Sequence, residues 1–199
     1  LAIRAGCFVL SDEVYEHIVY DGKSHRSVAH YAGLRERAFV VASFGKLYHI
    51  TGWKVGYCLA PAELTVEFRK VHQFNVFSVN TPVQHALADY LDDREAYLTL
   101  PAFFQEKRDL LFSGLQTSGF RPLPCEGTYF VLADYSAISD LPERVFCELI
   151  IRKYGVALIP VSAFYADSRN QRLVRICFAK QQETLLQAVE RLSAITSIP

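Results

Sequence analysis

The sequence predicts an α/β unit followed by a smaller α+β unit. Three observations carry that reading. Short apolar runs in the first half end abruptly in polar residues, as buried strands do when they deliver a loop. Helical apolar spacing fills the stretches after them. Beyond about residue 95 the pattern changes to separate strand-like runs with helices among them.

In chain order, GCFVLSDEVY, AFVVASF (38–44) and GYCLA (56–60) are the predicted strands of the first unit. Residues 62–76 carry apolar side chains at Leu64, Phe68, Val71 and Val76 with Glu and Arg between, which predicts a helix. Thr81 or Pro82 opens another helix through Leu91, with proline in the first turn. A long helix is expected over 94–115, kinked by Pro101 and stopped by Gly119. FRPLP and TYFVLADY then read as strands, Glu143 to Tyr154 as an amphipathic helix, and GVALIPV and LVRICFA as strands. A final helix runs from about Gln181 to Ser193. We therefore divide the chain into 1–95 and 96–199.

The 199 residues are 51% apolar and 21% charged. That balance is ordinary for a globular chain. Lys plus Arg balance Asp plus Glu at 21 each. No global field therefore draws the chain to nucleic acid or an anionic membrane. No apolar run approaches the about 18 residues of a membrane span, and no signal peptide is recognisable. Five cysteines, none spaced as CxxC, lie mostly in apolar contexts and read as buried free thiols in a reducing, cytoplasmic setting. Methionine is absent, and the opening residues read as a helix end before a core strand, as in a piece of a longer protein.

The chemistry-bearing stretch is SFGKLYHITGWKVGY (43–57). A lysine held at a strand end and partly desolvated forms a Schiff base with an aldehyde, which marks Lys46; the alternative, and the ordinary case for a lysine in a turn, is a solvated surface cation. Ser43 and Lys54 offer a hydroxyl and a cation to a phosphate. A Walker loop is excluded, because position 40 is not glycine. Asp12, closing the first strand, suits a pyridinium nitrogen, and Tyr15 a ring oxygen; the alternatives are a helix cap and a core aromatic. Arg175, a charge inside the apolar run LVRICFA, needs a fixed anion: a substrate carboxylate or an internal salt bridge. His25 and His30 lack metal-ligand spacing.

In order, SDEVYEHIVYDG, SFGKLYHITGWKVGYCLAPAEL, VHQFNVFSVNTPVQ, CEGTYFVLADY, IPVSAFY and VRICFAK closely resemble class I/II aminotransferases of pyridoxal-phosphate fold type I. The resemblance is strongest to the kynurenine, glutamine and methionine branch and to its carboxyl-terminal portion only. It implies that residues 1–95 are the carboxyl-terminal part of the mostly parallel large domain and 96–199 the small domain. It also implies pyridoxal 5'-phosphate bound as a Schiff base on Lys46, with Asp12 at the ring nitrogen and Tyr15 at the ring oxygen. Ser43 and Lys54 would hold the phosphate and Arg175 the substrate carboxylate. Tyr129, Phe164 and Phe77 would line the side-chain pocket, Phe77 in the partner subunit of a homodimer.

The reaction implied is transfer of an amino group to a 2-oxo acid from kynurenine, methionine, glutamine or phenylalanine-type donors. A cysteine-S-conjugate β-lyase and a non-catalytic fragment are the alternatives. Two departures stand out: Leu47 replaces a small hydroxylated residue, and Lys54 replaces a frequent arginine. The family's amino-terminal half, with its phosphate-binding glycine loop, has no counterpart in these residues.

Overall fold

The apolar run before Asp12 forms β1 (Val9–Asp12), and the run beginning at Ala38 forms β2 (Ala38–Ser43). They pair in parallel, Val9 opposite Ala38 and Asp12 opposite Val41, so their carboxyl ends share one edge of the sheet. A single-turn helix, α1 (Phe44–Leu47), follows β2 directly, and a 3-10 turn at Thr51–Trp53 leads to β3 (Gly56–Leu59). β3 returns antiparallel to β2, with Ser43 opposite Gly56. The sheet of the described residues is therefore mixed. The link 44–55 never leaves the carboxyl edge; it folds on itself through bonds from Ile50 N to Gly45 O (3.0 Å) and Phe44 N to Val55 O (3.2 Å). A parallel return would have needed a crossover along the length of the sheet.

Helices α2 (Ala62–Asn75) and α3 (Thr81–Tyr90) follow. Asn80 caps α3, its Oδ1 accepting the Val83 N–H at 3.2 Å. The expected single helix over 94–115 is two, α4 (Glu95–Leu98) and α5 (Leu100–Leu115). Pro101 does not kink a continuous helix. It sits in the first turn of α5, where its missing N–H costs nothing.

The structure, a computed structural model, describes residues 1–198, and the chain divides after Leu100 into two compact units. The second contains β4 (Arg121–Pro122), β5 (Phe130–Asp134), α6 (Glu143–Tyr154), β6 (Ile159–Pro160), β7 (Leu173–Cys177) and α7 (Gln182–Ser193). Its sheet is antiparallel in the order β4-β5-β7-β6. The strand-like runs FRPLP and GVALIPV yield only two paired residues each. Val131, Ala133, Val174 and Ile176 bury one sheet face, and Leu111, Leu115, Phe146, Ile150, Leu185 and Leu192 complete the helical share of that core. Tyr135 stacks on Phe146 with ring centroids 3.9 Å apart. The buried Glu143 carboxylate ties down the chain before β7 by accepting the N–H groups of Ser162, Gln171 (3.0 Å) and Leu173 (3.1 Å).

The first unit buries less. Ile18, Tyr20, Ala38, Val40, Val55 and Leu87 form its core, while Phe8 and Leu10 on the β1 side and Val66, Val71 and Phe74 on α2 stay exposed. Trp53 is half exposed. One expectation is corrected here. Of the five free cysteines only Cys147 is buried; Cys7 is exposed and the others half-buried. Strand alternation turns Cys177 away from the core. Among the described residues no helix is long and apolar enough to cross a membrane.

Candidate active site

Parallel pairing of β1 and β2 brings Asp12 and Ser43 to the same sheet edge, and the antiparallel β3 starts there too. Lys46 lies in the turn of helix immediately beyond β2, and Lys54 just before β3. Four of the five sequence-identified residues of this edge thus sit outside the carboxyl end of a parallel strand pair, the position at which open α/β sheets bind ligands. The fifth, Tyr15, is half-buried in the turn after β1, where its carbonyl accepts the Ile18 N–H at 2.9 Å.

Each is held by local chemistry. Asp12 is exposed, and its Oδ1 accepts the Val14 N–H at 3.2 Å. That bond closes a turn and not the helix cap considered from sequence. Ser43 Oγ accepts from Gly45 N at 3.0 Å and donates to Val55 O at 3.4 Å, which fixes it as the cap of α1. Lys46 is half-buried. Lys54 is exposed and adopts a left-handed backbone, φ 57°, at the end of the 3-10 turn.

The glycines of this stretch serve the chain's approach to itself. A Cβ on Gly56 would collide with the Ala42 carbonyl oxygen, and one on Gly45 would lie 2.9 Å from Thr51 Cα; Gly52 meets open space.

Glu13, beside Asp12, is not among the residues the sequence singles out. It is 6% exposed, and its carboxylate accepts from Ser11 Oγ (2.9 Å), His25 Nε2 (2.8 Å) and Val28 N–H (2.9 Å). Burial pushes this carboxyl up, but the bonds from His25, Val28, Ser27 and Ser11 outweigh it and hold it at about 2. His25, considered in the sequence only as a metal ligand, is therefore a strut that ties the loop 13–28 to the end of β1. A second tie runs from the Tyr57 hydroxyl on β3 to Glu16 Oε1; burial, and then that carboxylate, push the hydroxyl up.

In the second unit, Arg175 lies on the half-exposed face of β7 and not, as its apolar neighbours suggest, on the buried one. Leu132 of β5 and Ile159 of β6 are its cross-strand partners. The internal salt bridge weighed from sequence does not form among the described residues. Asp134, diagonal to Arg175 on the same face, pairs with Arg121 at 2.5 Å instead. The Arg175 guanidinium carbon lies 4.6 Å from the Phe130 ring centroid and 5.0 Å from that of Phe164, and its Nε is buried with no hydrogen-bond partner.

Tyr129 adjoins this group, its ring 6.3 Å from Phe130 and 5.9 Å from Phe104. Phe130 is not a sequence candidate either, although TYFVLADY alternates with a period that puts residue 130 on the face of 132 and 134. Phe77 belongs to the first unit, is 87% exposed and has φ 64° beyond the end of α2. In chemical terms, one edge of the first unit gathers an amine, a cation, a hydroxyl and a carboxylate. The second unit presents an aromatic-seated cation suited to a planar anion.

A sequence model described as aminotransferase class I and II matches residues 1–192. A methionine aminotransferase of Escherichia coli is 56% identical over 186 residues, covering 93% of this chain and 48% of that protein. A kynurenine–oxoglutarate transaminase of Dictyostelium discoideum is 35% identical over 206 residues, covering 92% and 47%. Among solved structures, an Escherichia coli protein with methionine aminotransferase function superposes with a TM-score of 0.91 at 56% identity, over 95% of this chain and 51% of that one. N-succinyldiaminopimelate aminotransferase from Mycobacterium tuberculosis gives 0.91 at 38% identity, over 98% and 51%. The chain spans about half the length of the relatives it matches.

Proposed function

The chain belongs to the class I and II aminotransferase family, and from that premise we propose that it carries the reactive lysine of a pyridoxal-phosphate-dependent aminotransferase. The enzyme moves an amino group from an aromatic or sulfur-containing amino acid to a 2-oxo acid. The methionine and kynurenine specificities of its relatives support that substrate class. The observation that carries the reading is the shared sheet edge of Asp12, Ser43, Lys46 and Lys54. Its donor set fits a group bearing an aldehyde, a phosphate and a protonated ring nitrogen.

When bound, the cofactor supplies a protonated ring that accepts the electron pair left at the substrate Cα. Lys46 would hold the aldehyde carbon, and its amine would move the proton at the substrate Cα as base and acid from one face. Asp12 accepts the ring N–H and keeps that nitrogen protonated. Tyr15 donates to the ring oxygen. Ser43 and Lys54 hold the phosphate, Lys54 as a point charge and not a fork. Arg175 binds the substrate carboxylate, Tyr129 and Phe164 line the side-chain pocket, and Phe77 lines that of the partner subunit.

We further assign residues 1–95 to the cofactor-binding domain and 96–199 to the small domain. The whole protein is a homodimer in the cytoplasm, a reading supported by the uncovered apolar positions of α2 and by free cysteines. Replacement Lys46→Ala in the whole protein should reduce amino transfer by about a hundredfold or more. Retained transfer would overturn the assignment. Release of pyruvate from a cysteine conjugate in place of transfer to a 2-oxo acid would make the enzyme a β-lyase.

A further inference from the structure

We infer that Phe130 is a positioning residue for Arg175, acting through it on any substrate that carries a carboxylate; the inference rests on the role proposed above for Arg175. Three observations lead there. The guanidinium carbon of Arg175 stands 4.6 Å from the Phe130 centroid and 5.0 Å from that of Phe164. Arg175 Nε is buried without a hydrogen-bond partner, and Asp134 on the same face is taken by Arg121. No carboxylate among the described residues therefore fixes the guanidinium plane, and the aromatic rings do.

The two rings differ in how firmly they are held. Phe164 ends a short 3-10 turn and is 61% exposed. Phe130 sits on β5, paired opposite Cys177 and diagonal to Arg175, with its N–H bonded to Thr128 Oγ1 at 3.4 Å and its carbonyl accepting from Thr128 Oγ1 at 3.1 Å. The fixed plate is thus Phe130. It orients a planar fork whose remaining N–H groups are directed to a planar bidentate acceptor, the geometry of an α-carboxylate. A guanidinium that rotated freely would still attract the anion but would lose the two-bond register.

The test is a KM-against-kcat comparison on the whole protein for Phe130→Leu, Phe130→Tyr, Phe164→Leu, Arg175→Ala and the double variant Arg175→Ala/Phe130→Leu. A nonreactive carboxylate, 3-phenylpropionate, is titrated by calorimetry alongside. Phe130→Leu should raise the amino-acid KM and the 3-phenylpropionate Kd about tenfold, with kcat and pyridoxal-phosphate affinity unchanged. Phe130→Tyr restores the ring face and should restore both constants. Phe164→Leu, at an exposed position that folding tolerates, should shift them less and in the same direction. The double variant should be no worse than Arg175→Ala alone, since Phe130 acts only through the arginine.

A Phe130→Leu protein with unchanged KM and Kd, or additive losses in the double variant, would overturn the inference while leaving the Arg175 role intact. Unchanged constants in Arg175→Ala would overturn the carboxylate role of Arg175 itself, and the inference with it. A Phe130→Leu chain that does not fold transfers the decision to Phe164→Leu: there, no shift in either constant overturns the aromatic seat.

Discussion

Replacing Glu13 by Gln tests the network beneath Asp12 most sharply. The native carboxylate, 6% exposed, collects bonds from Ser11, His25 and Val28, and its pKa is lowered from 4.5 to about 2. A depressed carboxyl pKa contributes stability that is fully present above the unfolded value and is lost as pH falls through the window from 4.5 to about 2. At about 1.36 kcal/mol per unit the full contribution is about 3 kcal/mol, of which about 2 kcal/mol is gone by pH 3.

Glutamine keeps the shape and the acceptor oxygen but cannot carry the charge. The gap in unfolding free energy between native and Glu13→Gln chains should therefore narrow from about 3 kcal/mol at pH 7 to about 1 kcal/mol at pH 3. The single tryptophan, Trp53, lies in this unit, so urea unfolding followed by its fluorescence reads the right transition. A gap that stays constant across pH, or one below about 0.5 kcal/mol at pH 7, would refute the strut.

Two further outcomes follow from the geometry. Gly56→Ala drives a methyl into the Ala42 carbonyl, forces β3 away from β2 beside Ser43, and should weaken pyridoxal-phosphate binding about tenfold in a fluorescence titration; native affinity would count against the placement of Ser43. The Cys147 thiol is pushed up to about 12 by burial and then by Glu143, so it stays protonated at pH 8. Iodoacetamide should label the exposed Cys7 and spare Cys147 in peptide maps of the folded chain; equal labelling would show the core to be open.

Much of the fold follows from local pattern. The helix Glu143–Tyr154 has its expected bounds because an amphipathic period ends at Gly155, whose φ of 67° suits the left-handed cap. The strand ends at Asp12 and Ser43 are legible because an apolar run stops there. What is illegible depends on residues distant in sequence. Glu13 finds His25 and Val28 across a loop with no periodicity to announce the meeting. Arg175 has apolar neighbours that suggest burial, yet strand alternation puts it on the other face, and Arg121 takes the carboxylate that could have paired with it. Pro101 reads as a kink because a helical pattern runs through it, while proline's tolerance for the first turn ends one helix and begins another.

The central claim is that Lys46 holds the cofactor. It is tested most directly by adding pyridoxal phosphate to the whole protein, recording the visible spectrum, reducing with borohydride and mapping the labelled peptide. The protein should turn yellow and carry the reduced label on Lys46. A colourless protein, or label spread over surface lysines with Lys46 unmodified, would contradict that claim.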